Sequence, residues 1–133
     1  MNAVFADTSF YIAFVNPRDA MHAAATEFVQ GFRGKTLTTE HVLVEVGNWL
    51  ARSGDRAVFL DLIKEIRADR STTVLSANRA LFEAGLELYG RRIDKTWSMT
   101  DCISFVVMKQ QRLTEALTTD HHFEQAGFRV LLR

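Results

Sequence analysis

A chain of 133 residues has room for one domain with a substantial core and is too short for two ordinary ones. Nearly half of it is apolar, and sixteen cations balance sixteen anions, so it is not a basic nucleic-acid binder by total charge; contact with a polyanion must rest on a local patch. The single cysteine, Cys102, excludes an intramolecular disulfide framework and fits a reducing compartment.

The start of the chain has no basic n-region, and Asp7 interrupts it early, so it does not read as a signal peptide. No apolar run approaches the ~20 residues that cross a bilayer. A cytoplasmic protein without membrane contact is expected. The apolar run 3–6 stops at Asp7 and predicts a buried first strand. A short helix follows from Thr8 or Ser9 to Val15, then turn chemistry at 16–19 around the only proline, Pro17. Helix formers fill 20–30, with Gly31 and Gly34 expected to end that element. A brief strand at 36–38 precedes a helix at 40–51, where Val42, Val46, Trp49 and Leu50 recur at helical spacing.

Gly54-Asp55 breaks that helix and opens another, with Phe59, Leu62, Ile63 and Ile66 on one face. The β-branched run 71–75 predicts a strand, and 77–89 a helix closed by Gly90. A basic stretch, 91–95, leads to Ser98 and a nearly uncharged helix from 99 or 100 to 110. A strand at 116–118, a short helix at 121–125 and a strand at 129–132 complete the chain. There is no Ser/Gly linker, charge block or repeat, so 1–133 reads as one domain. This alternation predicts an α/β fold, a helix–sheet–helix sandwich on a mainly parallel sheet.

Four acids stand out: Asp7, Glu45, Asp101 and Asp120. Three of them fall where a strand stops or a helix begins, the edge at which an open α/β sheet gathers ligands. Each has an ordinary reading. Asp7 suits a helix N-cap, a role compatible with metal binding through its other oxygen. Glu45 suits an exposed helical position, although its neighbours one turn away are His41 and Trp49 rather than cations. Glu40 competes with it, but helix-dipole stabilisation explains Glu40 adequately. Asp101 heads an apolar helix, with Ser98 and Thr100 available as caps in its place, and Asp120 suits a turn. Together, four carboxylates converging from separate segments need a hard dication among them. His121 and His122 do not argue for zinc, since adjacent histidines point to different sides of a helix and no Cys/His spacing supports them.

These residues resemble the PIN-domain family, and in particular the VapC-like toxins of bacterial toxin–antitoxin pairs. The resemblance rests on Asp7-Thr8-Ser9 after the first strand and Val42-x-x-Glu45. It also rests on Thr100-Asp101 and on Leu117-Thr118-Thr119-Asp120-x-x-Phe123. It implies an α/β/α sandwich and a Mg²⁺- or Mn²⁺-dependent endoribonuclease leaving 5′-phosphate and 3′-hydroxyl ends. Homodimerisation and a small antitoxin partner are implied as well. On this reading Asp7, Glu45, Asp101 and Asp120 are catalytic and hold the metal. Thr8, Ser9 and Thr119 orient them from behind. Arg91, Arg92 and Lys95 grip RNA, with Arg18 on the other side. Trp97 is assigned to the core or a dimer contact rather than to base stacking.

The family also contains RNA-processing nucleases that are not toxins, and the fold can serve as a non-catalytic binding module. A haloacid-dehalogenase-type phosphohydrolase also opens with Asp after a strand, but needs a second Asp two residues on, where Ser9 stands. A phosphoacceptor receiver domain needs a late lysine, absent from 113–120.

Overall fold

The structure, a computed structural model, describes residues 2–133. Strand β1 (Ala3–Ala6) is apolar throughout and occupies the middle of a five-stranded sheet. Helices α1 (Thr8–Val15) and α2 (His22–Gly31) lead to β2 (Lys35–Thr39), and α3 (Glu40–Arg52) and α4 (Arg56–Ala68) to β3 (Thr72–Leu75). Helices α5 (Arg79–Arg91) and α6 (Met99–Gln110) return the chain to β4 (Glu115–Leu117), and α7 (His121–Gln125) carries it to β5 (Arg129–Val130).

The strand order is β3-β2-β1-β4-β5, and every pairing is parallel. Phe5 lies opposite Leu37 of β2 on one side and Ala116 of β4 on the other. The chain winds outward from β1 through β2 and β3, then restarts on the far side of β1. That reversal makes the β1/β4 boundary a topological switch point, where the crevice beyond the carboxyl ends accepts ligands. Right-handed crossovers put α1–α4 on one face and α5–α7 on the other. Accordingly α1 packs on α2 and α3, α3 on α4, α5 on α6 and α6 on α7. This is the α/β/α sandwich that the sequence predicts.

The apolar character of α6 follows from its placement: Cys102, Ile103, Phe105, Val107 and Met108 are all buried. Gly85 of α5 permits that burial. A Cβ there would lie 2.5 Å from Ile103 Cγ1, so the two helices meet where one has no side chain.

Several ends differ from expectation for local reasons. The turn before α2 runs on to Met21, whose N–H donates to Asp19 Oδ1 at 2.9 Å, so the helix starts at His22 rather than Ala20. Helix α5 starts at Arg79 because Asn78 is its cap, accepting from Leu81 N–H at 2.8 Å. It runs through Gly90 to Arg91, since Gly90 keeps an ordinary negative φ. Gly54, at φ +80°, does end α3 as anticipated. Strand β5 stops at Val130, yet Leu131 and Leu132 still donate to Ala116 and Thr118 carbonyls at 3.0 and 3.3 Å.

Gly85→Ala is expected to lower unfolding free energy by about 1–3 kcal/mol, the usual penalty for overpacking. Gly31→Ala, where an added methyl meets nothing within 4 Å, is expected to leave stability unchanged or raise it by up to ~1 kcal/mol. Paired urea titrations measure both, and equal losses would contradict the close α5–α6 approach.

Candidate active site

The site is built at the carboxyl end of β1. Asp7 N–H donates to Leu117 O at 3.0 Å, continuing the β1–β4 pairing past the strand. Asp7 holds the N-cap position of α1, yet its side chain makes no cap hydrogen bond. The residue as a whole is only 5% exposed. Thr118 Oγ1 donates to Asp7 Oδ2 at 2.9 Å, and Ser9 Oγ lies 3.3 Å from the same oxygen. Thr118 Oγ1 also accepts Asp120 N–H at 3.0 Å, and Ser9 Oγ accepts Thr119 N–H at 3.0 Å. The ends of β1 and β4 are thereby knitted together by hydroxyls.

Asp101 sits in the first turn of α6, in a capping box with Ser98. Ser98 Oγ accepts Asp101 N–H at 3.0 Å, and Asp101 Oδ2 accepts Ser98 N–H at 3.1 Å. The cap is Ser98, so Asp101 is left with an oxygen to spare. Asp120 caps α7 through Oδ1, which accepts His122 N–H at 2.9 Å. Glu45 reaches the site from α3: Thr8 Oγ1 donates to its Oε1 at 2.6 Å. Glu45, Asp101 and Asp120 thus each use one oxygen for protein contacts. Their second oxygens accept nothing from the described residues. Glu40 is engaged elsewhere, accepting Ala77 N–H at 2.7 Å.

Charge is strongly opposed here. Burial pushes the Asp7 carboxyl up to about 7; the Thr118 hydroxyl and Thr8 N–H oppose the rise, while Asp101 and Asp120 reinforce it. Asp101 is raised as well, first by burial and then by Asp120, against the lowering effect of the Ser98 N–H and His122. These couplings place Asp7, Asp101 and Asp120 in one electrostatic neighbourhood, which Glu45 joins through Thr8. Carboxylates and hydroxyls are hard oxygen donors, so the set suits Mg²⁺ or Mn²⁺.

An apolar triad lies beneath the acids. Phe5 is two residues before Asp7, Phe105 four after Asp101 and Phe123 three after Asp120. Phe105 meets Phe123 edge-on at 4.9 Å between ring centroids, and Phe5 lies 6.3 Å from Phe123. All three rings are buried. The rings tie together the three elements whose ends carry the acids.

Two features depart from the sequence reading. The hydroxyl that reaches Asp7 belongs to Thr118, which is fully buried, whereas Thr119 is exposed and contributes its N–H. Both threonines lie just past β4, where the buried run Ala116-Leu117-Thr118 ends before Thr119. The histidines, moreover, do not diverge. Their ring centroids are 4.5 Å apart, and both Nδ1 atoms approach Asp120 Oδ1, at 3.7 Å for His121 and 3.4 Å for His122. Asp120, His121 and His122 offer ligand atoms within 4.8 Å of one another. His122 Nδ1 lies nearer still to Asp101 Oδ2, at 3.0 Å.

The basic stretch is partly self-neutralised. Arg92 donates twice to Asp94, at 3.0 and 3.1 Å, and stands 4.9 Å over the Trp97 ring. Lys95 lies 3.9 Å from Asp94, and Arg91 3.9 Å from Glu87 across an exposed helical turn. Trp97 is buried and donates to Gln125 Oε1 at 3.0 Å, a core role.

The PIN domain profile matches residues 4–129. The chain belongs to the PIN domain family. Among PIN proteins it is similar to the 23S rRNA-specific endonuclease VapC20 of Mycobacterium tuberculosis. Identity is 32% over 126 residues, covering 94% of this chain and 95% of the relative. The crystal structure of M. tuberculosis VapC20, a sarcin-ricin loop cleaving toxin, superposes with a TM-score of 0.89 at 28% identity. That match covers 98% and 99% of the two chains. A toxin-antitoxin complex from Klebsiella pneumoniae shares the PIN fold at a TM-score of 0.61 and 14% identity, over 89% of this chain and 87% of the other.

The raised Asp7 carboxyl makes the metal-free PIN domain sensitive to pH. Below about pH 4 the group is protonated in both folded and unfolded chains. Between about 4 and 7 only the folded chain keeps the proton, so stability falls as pH rises, by on the order of 4 kcal/mol from this group alone. Asp7→Asn removes that dependence. In EDTA the variant is expected to melt above wild type at pH 8, with the gap closing toward pH 4. Thermal melts across that range check it; a variant less stable than wild type at pH 8 would refute the buried-charge account.

Proposed function

We propose that this PIN protein, as a single domain over 1–133, is a Mg²⁺- or Mn²⁺-dependent endoribonuclease and the toxin of a toxin–antitoxin pair. Its proposed setting is the cytoplasm, in keeping with the finding that no described helix is long and apolar enough to cross a membrane. What supports the reading is the mutual coupling of Asp7, Asp101 and Asp120 at the β1/β4 switch point, with Glu45 tied to the residue after Asp7 through Thr8 Oγ1. The VapC20 relatives suggest the substrate, the sarcin-ricin loop of 23S ribosomal RNA.

In this reading Asp7 and Asp101 hold the ion, and Glu45 and Asp120 complete its surroundings directly or through water. A bound dication supplies a water of lowered pKa and neutralises charge gathering on the phosphate. Thr118 and Ser9 fix the Asp7 carboxylate, Thr8 fixes Glu45, and Ser98 fixes Asp101. Thr119 contributes its backbone N–H through Ser9. Such outer contacts aim the donors before the ion arrives. Arg91, Arg92 and Lys95 are assigned to the RNA backbone, in a stretch whose Thr96 lies 3.3 Å from His122 Nε2.

Two apolar surfaces suit protein partners. Phe82, Leu86, Tyr89 and Ile93 are exposed at 48, 44, 49 and 90%, and they recur at helical spacing along α5 and just beyond it. Large apolar stripes of this kind mark association sites, and a second copy of the chain is the partner proposed here. A groove of about 1040 Å³ between α3 and α4 is lined by Leu43, Phe59 and Ile63 and by the exposed Val44 and Leu60. It reaches Glu45, a location that suits an antitoxin segment.

With Mn²⁺, purified protein is expected to cut 23S rRNA within the sarcin-ricin loop, and EDTA to stop it. Asp101→Asn is expected to lower the rate by more than about 100-fold, because loss of an outer contact alone costs 10–100-fold. Primer extension on treated ribosomes reads both. Cleavage that survives chelation would end the metal assignment, and cleavage confined to other RNAs would end the substrate assignment. Leu86→Glu is expected to halve the mass seen by sedimentation; an unchanged mass would remove α5 from the dimer.

A further inference from the structure

His122 contacts two of the four acids and has so far been given no role. Its side chain is 18% exposed and sits between the start of α6, the start of α7 and the basic stretch. Nδ1 lies 3.0 Å from Asp101 Oδ2 and 3.4 Å from Asp120 Oδ1, and Nε2 lies 3.3 Å from Thr96 Oγ1. One tautomer of a neutral ring satisfies these contacts. Nδ1–H donates to Asp101 Oδ2, with Asp120 Oδ1 alongside at 3.4 Å, and Nε2 accepts the Thr96 hydroxyl proton. Both nitrogens are then used, so neither has a lone pair left for an ion.

We propose that His122 is a positioning residue of the nuclease site: its Nδ1–H donates to Asp101 and lies against Asp120, setting the separation of the two carboxylates, and its Nε2 fastens the RNA-gripping stretch to them. The inference rests on the metal-site reading above. Three connections support it. Asp101 Oδ2 receives both the Ser98 N–H and His122, which leaves Oδ1 without a donor among the described residues. Asp120 Oδ1 receives the His122 backbone N–H and lies 3.4 Å from the ring Nδ1, which leaves Oδ2 in the same position. No other side chain makes a hydrogen bond or ion pair to both acids among the described residues. Without the ring, mutual repulsion between the two carboxylates has less to oppose it in the metal-free protein.

The geometry predicts different outcomes for different replacements. Asparagine places its amide N–H near the position of Nδ1. Glutamine reaches instead toward the position of Nε2. Alanine supplies neither group. His122→Ala is expected to weaken Mn²⁺ binding by about 10–100-fold, the usual range for a lost outer contact. His122→Asn is expected to recover most of that loss, and His122→Gln little of it. In cleavage, His122→Ala is expected to lower kcat, whereas Thr96→Val, which cuts only the tether to the basic stretch, is expected to raise KM for RNA.

Mn²⁺ titration calorimetry on the full chain, with melting curves as a folding control and pulsed EPR of the bound Mn²⁺, tests the inference. The expected EPR spectrum carries no coupling to a directly bound nitrogen. Wild-type affinity in His122→Ala, or a His122→Asn no better than His122→Gln, would overturn the positioning role. Strong nitrogen coupling would make His122 a ligand and overturn it too. If His122→Ala does not fold, the asparagine–glutamine comparison still decides. Absence of saturable Mn²⁺ binding by wild type would sink the metal reading itself, and is distinguishable from a failure confined to the variants.

Discussion

Asp7 takes its carboxylate out of water at the end of the central strand, where burial, Asp101 and Asp120 all oppose its charge. The rest of the site can be understood as a response to that situation. A buried anion is tolerated when donors or cations compensate it. Thr118 and Ser9 supply part of the compensation. On the proposed metal-site reading a dication would supply the remainder, drawing together Asp7, Asp101 and Asp120, which otherwise repel. The same low-polarity setting that raises Asp7 strengthens its attraction for a metal ion. On that reading, metal affinity and metal-free instability would be two consequences of one arrangement.

The arrangement depends on topology as well as chemistry. Because the sheet is wound outward from β1 in both directions, β1 and β4 end side by side with no crossover passing over their carboxyl ends. Helix α6 reaches that opening with its N-terminal end, and α3 reaches it with its middle. Hence Asp101 arrives on a first turn, already oriented by Ser98, while Glu45 must arrive laterally and is steadied by Thr8. The four acids are held by four different local devices, none of which presupposes the ion.

Much of this was legible in the chain. Apolar 3–6 followed by Asp7, and a nearly uncharged helix headed by Asp101, state their own burial. Turn residues such as Gly54 mark their breaks because backbone conformation is a local property. The limits were equally physical. By type Gly90 suits a helix stop, but a glycine favours that role chiefly where the chain turns left-handed, and nothing in 88–92 dictates such a turn. Thr118 and Thr119 are equivalent by composition; only their contacts with Asp7 and Ser9 beyond the end of β4 distinguish them. His121 and His122 were expected to diverge, as on a long helix. Helix α7 has five residues and its cap is Asp120 itself, so both rings lie at its first turn and fold back on the capping carboxylate. Contacts such as His122 to Asp101 join residues 21 positions apart and require the tertiary fold to be known.

The aromatic triad under the site explains how the acids can be crowded without the ends of their elements splaying. Phe5, Phe105 and Phe123 meet in a dry cluster within a few residues of Asp7, Asp101 and Asp120. Edge-on aromatic pairs add about 0.5–1.5 kcal/mol each beyond the burial of their area. Repulsion above is thus opposed by attraction below, along the same three elements. A core that served stability alone could exchange these rings for aliphatic residues of similar volume at small loss. Here the rings are also stiff spacers, with two rotatable bonds each, and so they fix the distance between element ends. That requirement ties the hydrophobic core to the geometry of the carboxylates, and makes the interior of this protein part of the candidate site.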